Sequence, residues 1–503
     1  MQSMSSDQPR QPNLLQAVIP IAVLILLLVL NVLYFGDRTL EGANQVALIM
    51  ASAVAGIVAV RLGVKWPDVR TSIVNSISSA MPSILILLMI GALAGTWMLS
   101  GVVPTLIYYG LKVFHPKIFL FATVIIAGMV SLATGSSWST VATIGIALIG
   151  VGQALGINQG LVAGAVISGA YFGDKMSPLS DTTNLAPAMA GTDLFTHIRY
   201  MTITTVPAMS ITLVIFLVIG FTYTFESAPG DIDLVLQSIQ SRFNITPWLL
   251  LVPVFLVYII IRKIPPLPAL LAGSLLGGIF AIIFQPDLIR EVALGLDPTT
   301  TTFFKSSYMS VMQSIFGDVA ITTSNEMVNE LLTSTGMRGM LNTIWLILAA
   351  MVFGGTMESA GMLVKITGSV IRWARNTGSL VLTTIVTSIF FNITASDQYI
   401  AIVVPGRMFA GIYRKRGLKP EVLSRTLEDG GTLTSVLVPW NTCGATQSRV
   451  LGVPTMEYVP FAFFNMLSPM FSILFAFINY RIRRFGDAEP QPQIVSEEER
   501  RDI

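Results

Sequence analysis

Apolar residues fall in long runs separated by short clusters of charge, Gly and Pro, and this pattern governs the chain from 14 to 480. No Asp, Glu, Lys or Arg occurs from 71 to 111, 118 to 173, 200 to 225 or 339 to 357. A helix of about 20 apolar residues crosses a hydrocarbon core, so each run can span once and the longest more than once. Breaking the runs at charges, Gly and Pro predicts helices over 14–35, 43–62, 81–99, 117–133, 198–222, 247–261, 265–284, 341–358, 379–395 and 460–480. The first is too long for a signal-peptide core and no small-residue cleavage site follows it, so it reads as a retained helix. Two further stretches, 134–192 and 394–448, are apolar enough for a membrane, yet their Gly, Ser, Thr and Pro content is unlike that of ordinary spans.

Sliding the halves against each other at an offset of 260 brings Gly95-Thr96 onto Gly355-Thr356 and Gly101 onto Gly361. The same gapless register places Thr134-Gly135-Ser136 on Thr394-Ala395-Ser396 and Asp181-Thr182 on Asn441-Thr442. Each match alone is weak; four in one register, at the polar interruptions, indicate an internal repeat. Loop charge gives its sense, because cytoplasmic loops collect Lys and Arg. Arg61, Lys65 and Arg70 face a partner segment, 321–330, with Glu326 and Glu330 and no basic residue. The pair 150–158 and 410–418 reverses this, uncharged against Arg414-Lys415-Arg416, and the helix ending near Tyr223 has a counterpart ending in Arg481, Arg483 and Arg484. The expected architecture is an all-α polytopic membrane protein of two inverted-topology repeats, 14–240 and 241–482, with interrupted transmembrane helices. A cytoplasmic N-terminus (1–13) and a disordered cytoplasmic tail (483–503) flank them, and 223–245 and 285–340 lie outside.

Composition agrees: 53% of the 503 residues are hydrophobic and 12% charged, against about 25% charged in soluble domains. A net charge of +2, with basic residues confined to short loops, gives no sign of nucleic-acid binding. One cysteine, two histidines and no Gly-rich lysine loop before a helix leave disulfide frameworks, zinc chemistry and nucleotide-driven pumping without support, and no cofactor is expected.

The candidate chemistry sits in the interruptions. Bare backbone and hydroxyls persist inside a bilayer only when buried in protein or lining a wet cavity. Thr134, Ser136 and Ser137 in the first half, and Thr394 and Ser396 in the second, could break a helix and supply the hard oxygen shell of a small cation; they could equally be small residues for helix packing. Asp397 tips the balance, since an ionised carboxylate at depth costs at least about 2.5 to 3.5 kcal/mol and marks function. Around Pro178, which cannot donate a backbone hydrogen bond, an unwound segment aims Ser180, Asp181, Thr182 and Thr183 into a cavity. Asp174 is functional or a structural partner of Lys175. Asn441 and Thr442 keep oxygen ligands without titratable charge. Arg425, Glu428 and Asp429 form either a structural ion-pair network or a proton relay, and Arg407 snorkels to the basic loop or contacts an anion.

These motifs resemble the NhaC family of sodium/proton antiporters within the ion-transporter superfamily. The resemblance rests on Gly91 to Trp97, Thr134 to Trp138, Phe172 to Asp174 with Ser177 to Thr183, Thr394 to Tyr399, Pro405 to Phe409 and Pro439 to Gly444, and covers roughly 85 to 470. It implies re-entrant hairpins, a homodimer in the bacterial cell (inner) membrane, and sodium at the hairpin tips and helix breaks, here at Asp181 and Asp397. Exchange of Na+ (or Li+) for H+ by alternating access is the expected function. Organic-acid exchange of the malate/lactate type, on the same fold, is the alternative. A membrane-embedded enzyme would have no use for an inverted repeat, and a passive channel would show linear, unsaturable flux without counter-ion coupling.

Overall fold

The computed structural model describes residues 10–35, 41–222, 229–300, 302–323, 329, 332–370 and 374–486. Glu326, Glu330 and Tyr223 lie outside the described residues, as do 1–9 and, of the expected disordered tail 483–503, all but 483–486, which are ordered: Lys419 N donates to Arg483 O at 3.1 Å and Phe485 N to Gly417 O at 2.8 Å. Among the described residues, nine helices are long and apolar enough to cross a membrane. Two more pairs, Ile232–Arg242 with Pro247–Ile261 and Thr455–Phe461 with Phe463–Phe477, qualify as spans bent by 91° and 56°.

Helices α1 (Leu14–Phe35) and α2 (Ala43–Arg61) fall where predicted. The next, α3 (Trp66–Leu99), starts at Trp66 rather than 81, because Pro67 is preorganised for a first helical turn and exposed Asp68 and Arg70 fit its end. A short α4 (Val102–Val113) leads into α5 (Pro116–Thr134). The supposed interruption that follows is helical: α6 (Ser137–Ala154), α7 (Gln159–Met176) and α8 (Asp181–Ala190) precede α9 (Leu194–Thr222). The central segment comprises α10 (Pro229–Arg242), α11 (Pro247–Ile261), α12 (Pro266–Phe284), α13 (Pro286–Leu296) and α14 (Phe303–Phe316). A two-stranded antiparallel pair, β1 (Val319–Ala320) with β2 (Thr333–Ser334), was not predicted. The second half then runs α15 (Leu341–Ser359), α16 (Met362–Val370), α17 (Thr377–Thr394), α18 (Gln398–Lys415), α19 (420–435), α20 (Thr442–Leu451), α21 (Thr455–Phe461) and α22 (Phe463–Phe477). The expected boundary at 240 falls within the last turn of α10.

Small residues set the packing distances, as they do wherever lipid supplies no hydrophobic drive between helices. A Cβ on Gly95 of α3 would stand 1.7 Å from the Ser314 carbonyl oxygen of α14. Backbone cannot yield as a side-chain tip can, so Gly95→Ala is expected to cost at least about 3 kcal/mol, read as loss of a monodisperse peak in detergent.

The contacts define two helical hairpins. Ser131 Oγ donates to Ala170 O at 2.5 Å and Ser177 Oγ to Leu132 O at 2.8 Å, so α5 and α7 run side by side in the same direction. The chain between them must therefore return: a Cβ on Gly152, near the end of α6, would meet Val162 at 2.5 Å and the Phe119 ring, near the start of α5, at 3.2 Å. Thus α5 and α6 form a hairpin with its tip at 134–136. The second half repeats this: the Thr384 and Tyr413 hydroxyls are 3.1 Å apart, closing α17 on α18, while Asn392 Nδ2 donates to Gly431 O at 2.7 Å, setting α19 beside α17.

The backbone also corrects the register. Gly101 and Gly361, both left-handed (φ 81° and 65°), keep the offset of 260. Beyond them the offset is 261: left-handed Gly156 and Gly191 match Gly417 and Gly452, and side-chain N-caps His115, Ser136 and Ser180 match Asn376, Asp397 and Asn441. The gapless alignment therefore fails by one residue after α4. Asn441 corresponds to Ser180 rather than Asp181, and Asp397 to Ser136.

Candidate functional site

Each hairpin tip abuts the break in the helix that follows it. In the first half the tip turns at Gly135, whose left-handed backbone (φ 71°) packs so tightly on the 177–180 break that a Cβ would lie 2.5 Å from Leu179 Cβ. Ser136 caps α6 by accepting from Ser139 N at 3.2 Å. Asp174, near the end of α7, reaches back to the tip, its Oδ2 accepting from Ser137 N at 3.1 Å and Ser137 Oγ at 2.6 Å. Thr183 Oγ1 donates to the Asp174 and Lys175 carbonyls, both at 3.1 Å, covering the open end of α7. Ser180 caps α8 and its Oγ lies 3.2 Å from Thr182 Oγ1, while Thr134 makes only long contacts of 3.4 to 3.5 Å within the tip.

In the second half a non-glycine residue, Ser396, takes the left-handed position (φ 59°), a strain of the kind that collects at functional sites. Its carbonyl accepts from Thr442 N at 2.9 Å, bonding tip to break. Asp397 caps α18 with one oxygen, Oδ1, which accepts from Tyr399 N at 2.9 Å and Ile400 N at 3.0 Å. Its Oδ2 and the Ser396 hydroxyl are buried without a hydrogen-bond partner among the described residues. A buried carboxylate oxygen left bare costs free energy unless another group meets it. Asn441 bridges to Asn392 O and Oδ1, both at 3.1 Å, and caps α20 through Cys443 N at 3.0 Å. Thr442 lies against its amide oxygen at 3.4 Å, and Thr394 Oγ1 donates to its own helix at Phe390 O, 2.7 Å.

The halves meet at a cavity of about 1000 Å³ lined by Thr134, Ser136, Asp174, Ser180, Asp181 and Thr182 from the first and Gln398 and Tyr399 from the second. Asp181 is exposed to it at the start of α8. Asp397, Ser396, Asn441, Thr442, Thr394, Ser137 and Thr183 lie behind this surface, all buried. Four helix N-termini converge here with the carbonyl ends of the helices before the breaks, giving a carboxylate both stabilising dipoles and neighbouring oxygen donors for a cation.

Of the two readings of Arg407, an anion contact at this cavity falls, because the side chain is exposed and does not line it; the basic residue that does is Lys263, in the left-handed turn (φ 64°) after α11. One expectation is corrected. Arg425, Glu428 and Asp429 do not pair with one another. Asp429 is ion-paired with Lys175, fully buried, and that pair is completed by Ser468 Oγ, 2.9 Å from Lys175 Nζ and donating to Asp429 Oδ1 at 2.6 Å. Arg425 stacks 4.5 Å over the Tyr200 ring, and Glu428 is buried with no ion-pair partner among the described residues. Lys175 therefore joins the halves instead of serving Asp174. Its only trace in the sequence is a lone cation bordering the charge-free run 118–173.

Ser137 holds Asp174 with two donors, of which one is the side chain. Ser137→Ala keeps the backbone donor and removes a charge-assisted bond of about 1.5 kcal/mol or more. The loss is expected as a fall in melting temperature in detergent, with the tip still held by the backbone donor.

Helices of spanning length, paired hairpins and a shared internal cavity with buried carboxylates define a polytopic membrane transporter. The profile of the Na+/H+ antiporter family matches residues 1–170 and 169–480, and the chain belongs to that family. It is similar to the Malate-2H(+)/Na(+)-lactate antiporter of Bacillus subtilis, 37% identical over 93% of this chain and 95% of that one. It is also similar to the Na(+)/H(+) antiporter NhaC of Alkalihalophilus pseudofirmus, 36% identical over 92% and 96%, and to the Arginine/ornithine antiporter ArcD of Halobacterium salinarum, 30% identical over 97% and 96%.

Proposed function

We propose that this protein exchanges Na+, or Li+, for H+ across the bacterial cell (inner) membrane by alternating access. The observation that carries the reading is the second oxygen of Asp397, buried and unpartnered beside the equally unpartnered Ser396 hydroxyl. A proton neutralises that carboxylate by bonding; a sodium ion does so by coordination, with carbonyl and hydroxyl oxygens completing its shell. One group that accepts either, never both, couples the two fluxes. Asp174 and Asp181, facing the cavity from the other half, extend the path for the ion. We read the halves as inverted in topology, with both termini cytoplasmic, and the protein as a homodimer.

The cavity favours a second reading. About 1000 Å³ exceeds the room a bare ion needs and suits a small organic molecule, and Lys263 offers a cation to a carboxylate. A pH-sensitive dye in proteoliposomes holding a proton gradient separates the two, with sodium, lithium, potassium, malate and lactate added in turn. Dissipation by sodium or lithium alone is the expected result. Dissipation only with malate or lactate overturns it in favour of organic-acid exchange and makes Lys263 the residue to replace.

A further inference from the structure

A second cavity, of about 440 Å³, lies away from the hairpin tips, between the start of α9 and the segment after α22. It is lined by Arg199, Thr202, Ile203, Arg481, Ile482 and Arg483. Arg483 donates to Glu421 Oε1 at 3.1 Å, but no acidic side chain among the described residues pairs with Arg199 or Arg481. Two guanidinium groups thus face one concavity without a counter-charge, and a third is only partly compensated.

The wall is fixed in place. Tyr200 Oη donates to Arg481 O at 3.2 Å, Lys419 N to Arg483 O at 3.1 Å and Phe485 N to Gly417 O at 2.8 Å, so the segment carrying two of the arginines is tied to α9 and to the turn before α19. Arg483 also stacks 5.2 Å over the Tyr200 ring, over which buried Arg425 stacks at 4.5 Å.

Below the cavity the surface changes character. On the face of α9 that continues from Arg199, the exposed residues are Val206, Ser210, Val214, Val218 and Phe221, apolar but for one small hydroxyl. A basic pocket that opens onto an apolar stripe along a membrane helix has the two-part chemistry of a phospholipid. Guanidinium groups match the phosphate oxygens, and the stripe matches an acyl chain. Soluble phosphate would have no use for the stripe, and a zwitterionic headgroup would bring its own cation into a site already positive. Arg414, Lys415 and Arg416 cluster at the end of α18, which the chain links to α19 through the same turn, and basic pockets of this kind capture anionic headgroups.

We propose that Arg199, Arg481 and Arg483 form a binding site for the phosphate headgroup of an anionic phospholipid, whose acyl chain lies along the exposed face of α9. The test is thermal unfolding of the purified protein in neutral detergent with phosphatidylglycerol, phosphatidylcholine or inorganic phosphate at equal concentration. Phosphatidylglycerol is expected to raise the melting temperature by several degrees. That shift should vanish in Arg199→Gln/Arg481→Gln and persist in Arg61→Gln/Arg70→Gln, which removes the same charge from exposed positions at the end of α2 and the start of α3. The single changes Arg199→Gln and Arg481→Gln, each on an exposed side chain, should each reduce it by at least half. An equal shift with phosphatidylcholine, a shift with inorganic phosphate alone, or a shift retained in the pocket variants would each overturn the proposal.

Discussion

Asp397→Asn is expected to abolish sodium-driven proton movement while leaving the protein folded. The amide keeps an oxygen at the Oδ1 position, where Tyr399 N and Ile400 N donate at 2.9 and 3.0 Å, so the cap on α18 survives. What changes is the other position: a bare, fully buried carboxylate oxygen becomes an amide that neither titrates nor balances a cation. Exchange in proteoliposomes at subsaturating sodium should fall at least about 100-fold, equivalent to about 2.7 kcal/mol, the size of effect expected when a buried charge loses its role. Asp397→Ala should add a loss of about 1 kcal/mol in stability, because the cap goes as well. Wild-type exchange in Asp397→Asn would remove Asp397 from the coupling step.

The second large effect concerns stability. Lys175 and Asp429 form a fully buried ion pair between the two halves, with Ser468 and Thr204 as further partners of the Asp429 carboxylate. Removing one charge strands the other, so Lys175→Met alone should cost about 3 to 5 kcal/mol. Lys175→Met with Asp429→Leu removes both charges together and should recover most of that loss, as read by thermal unfolding in detergent. If the double variant is as unstable as the single, desolvation is not the origin of the effect. Sodium-driven exchange by the stabilised double variant then separates two roles: retained exchange makes the pair a structural tie, and lost exchange makes it part of the moving apparatus.

Much of the architecture was legible because bilayer energetics constrain sequence so strongly. Unpaired backbone is excluded from hydrocarbon, so helices such as 14–35 and 266–284 appear directly as apolar runs. Helices α6 to α8 and α18 to α20 were not legible as helices. Their Gly and Ser content reads as interruption, whereas in the fold it serves close packing, as where Gly173 meets the backbone of Gly128. Only the breaks themselves, at 135–136, 177–180, 395–397 and 436–441, match the sequence reading.

The sequence by itself determined that the chain is a multi-spanning membrane protein, and it singled out an internal repeat and Asp174, Asp181 and Asp397 as candidate ion-binding carboxylates. Apolar length and the cost of charge at depth are local properties, readable one segment at a time. The tertiary structure alone decided which groups meet. It moved the repeat register from 260 to 261 beyond Gly361, because caps and left-handed turns mark equivalence where short residue matches cannot. It gave Lys175 to Asp429 across 254 positions and set Lys263, rather than Arg407, at the cavity. It also left one oxygen of Asp397 bare, since the partners of a side chain depend on what the rest of the chain brings to within about 3 Å of it.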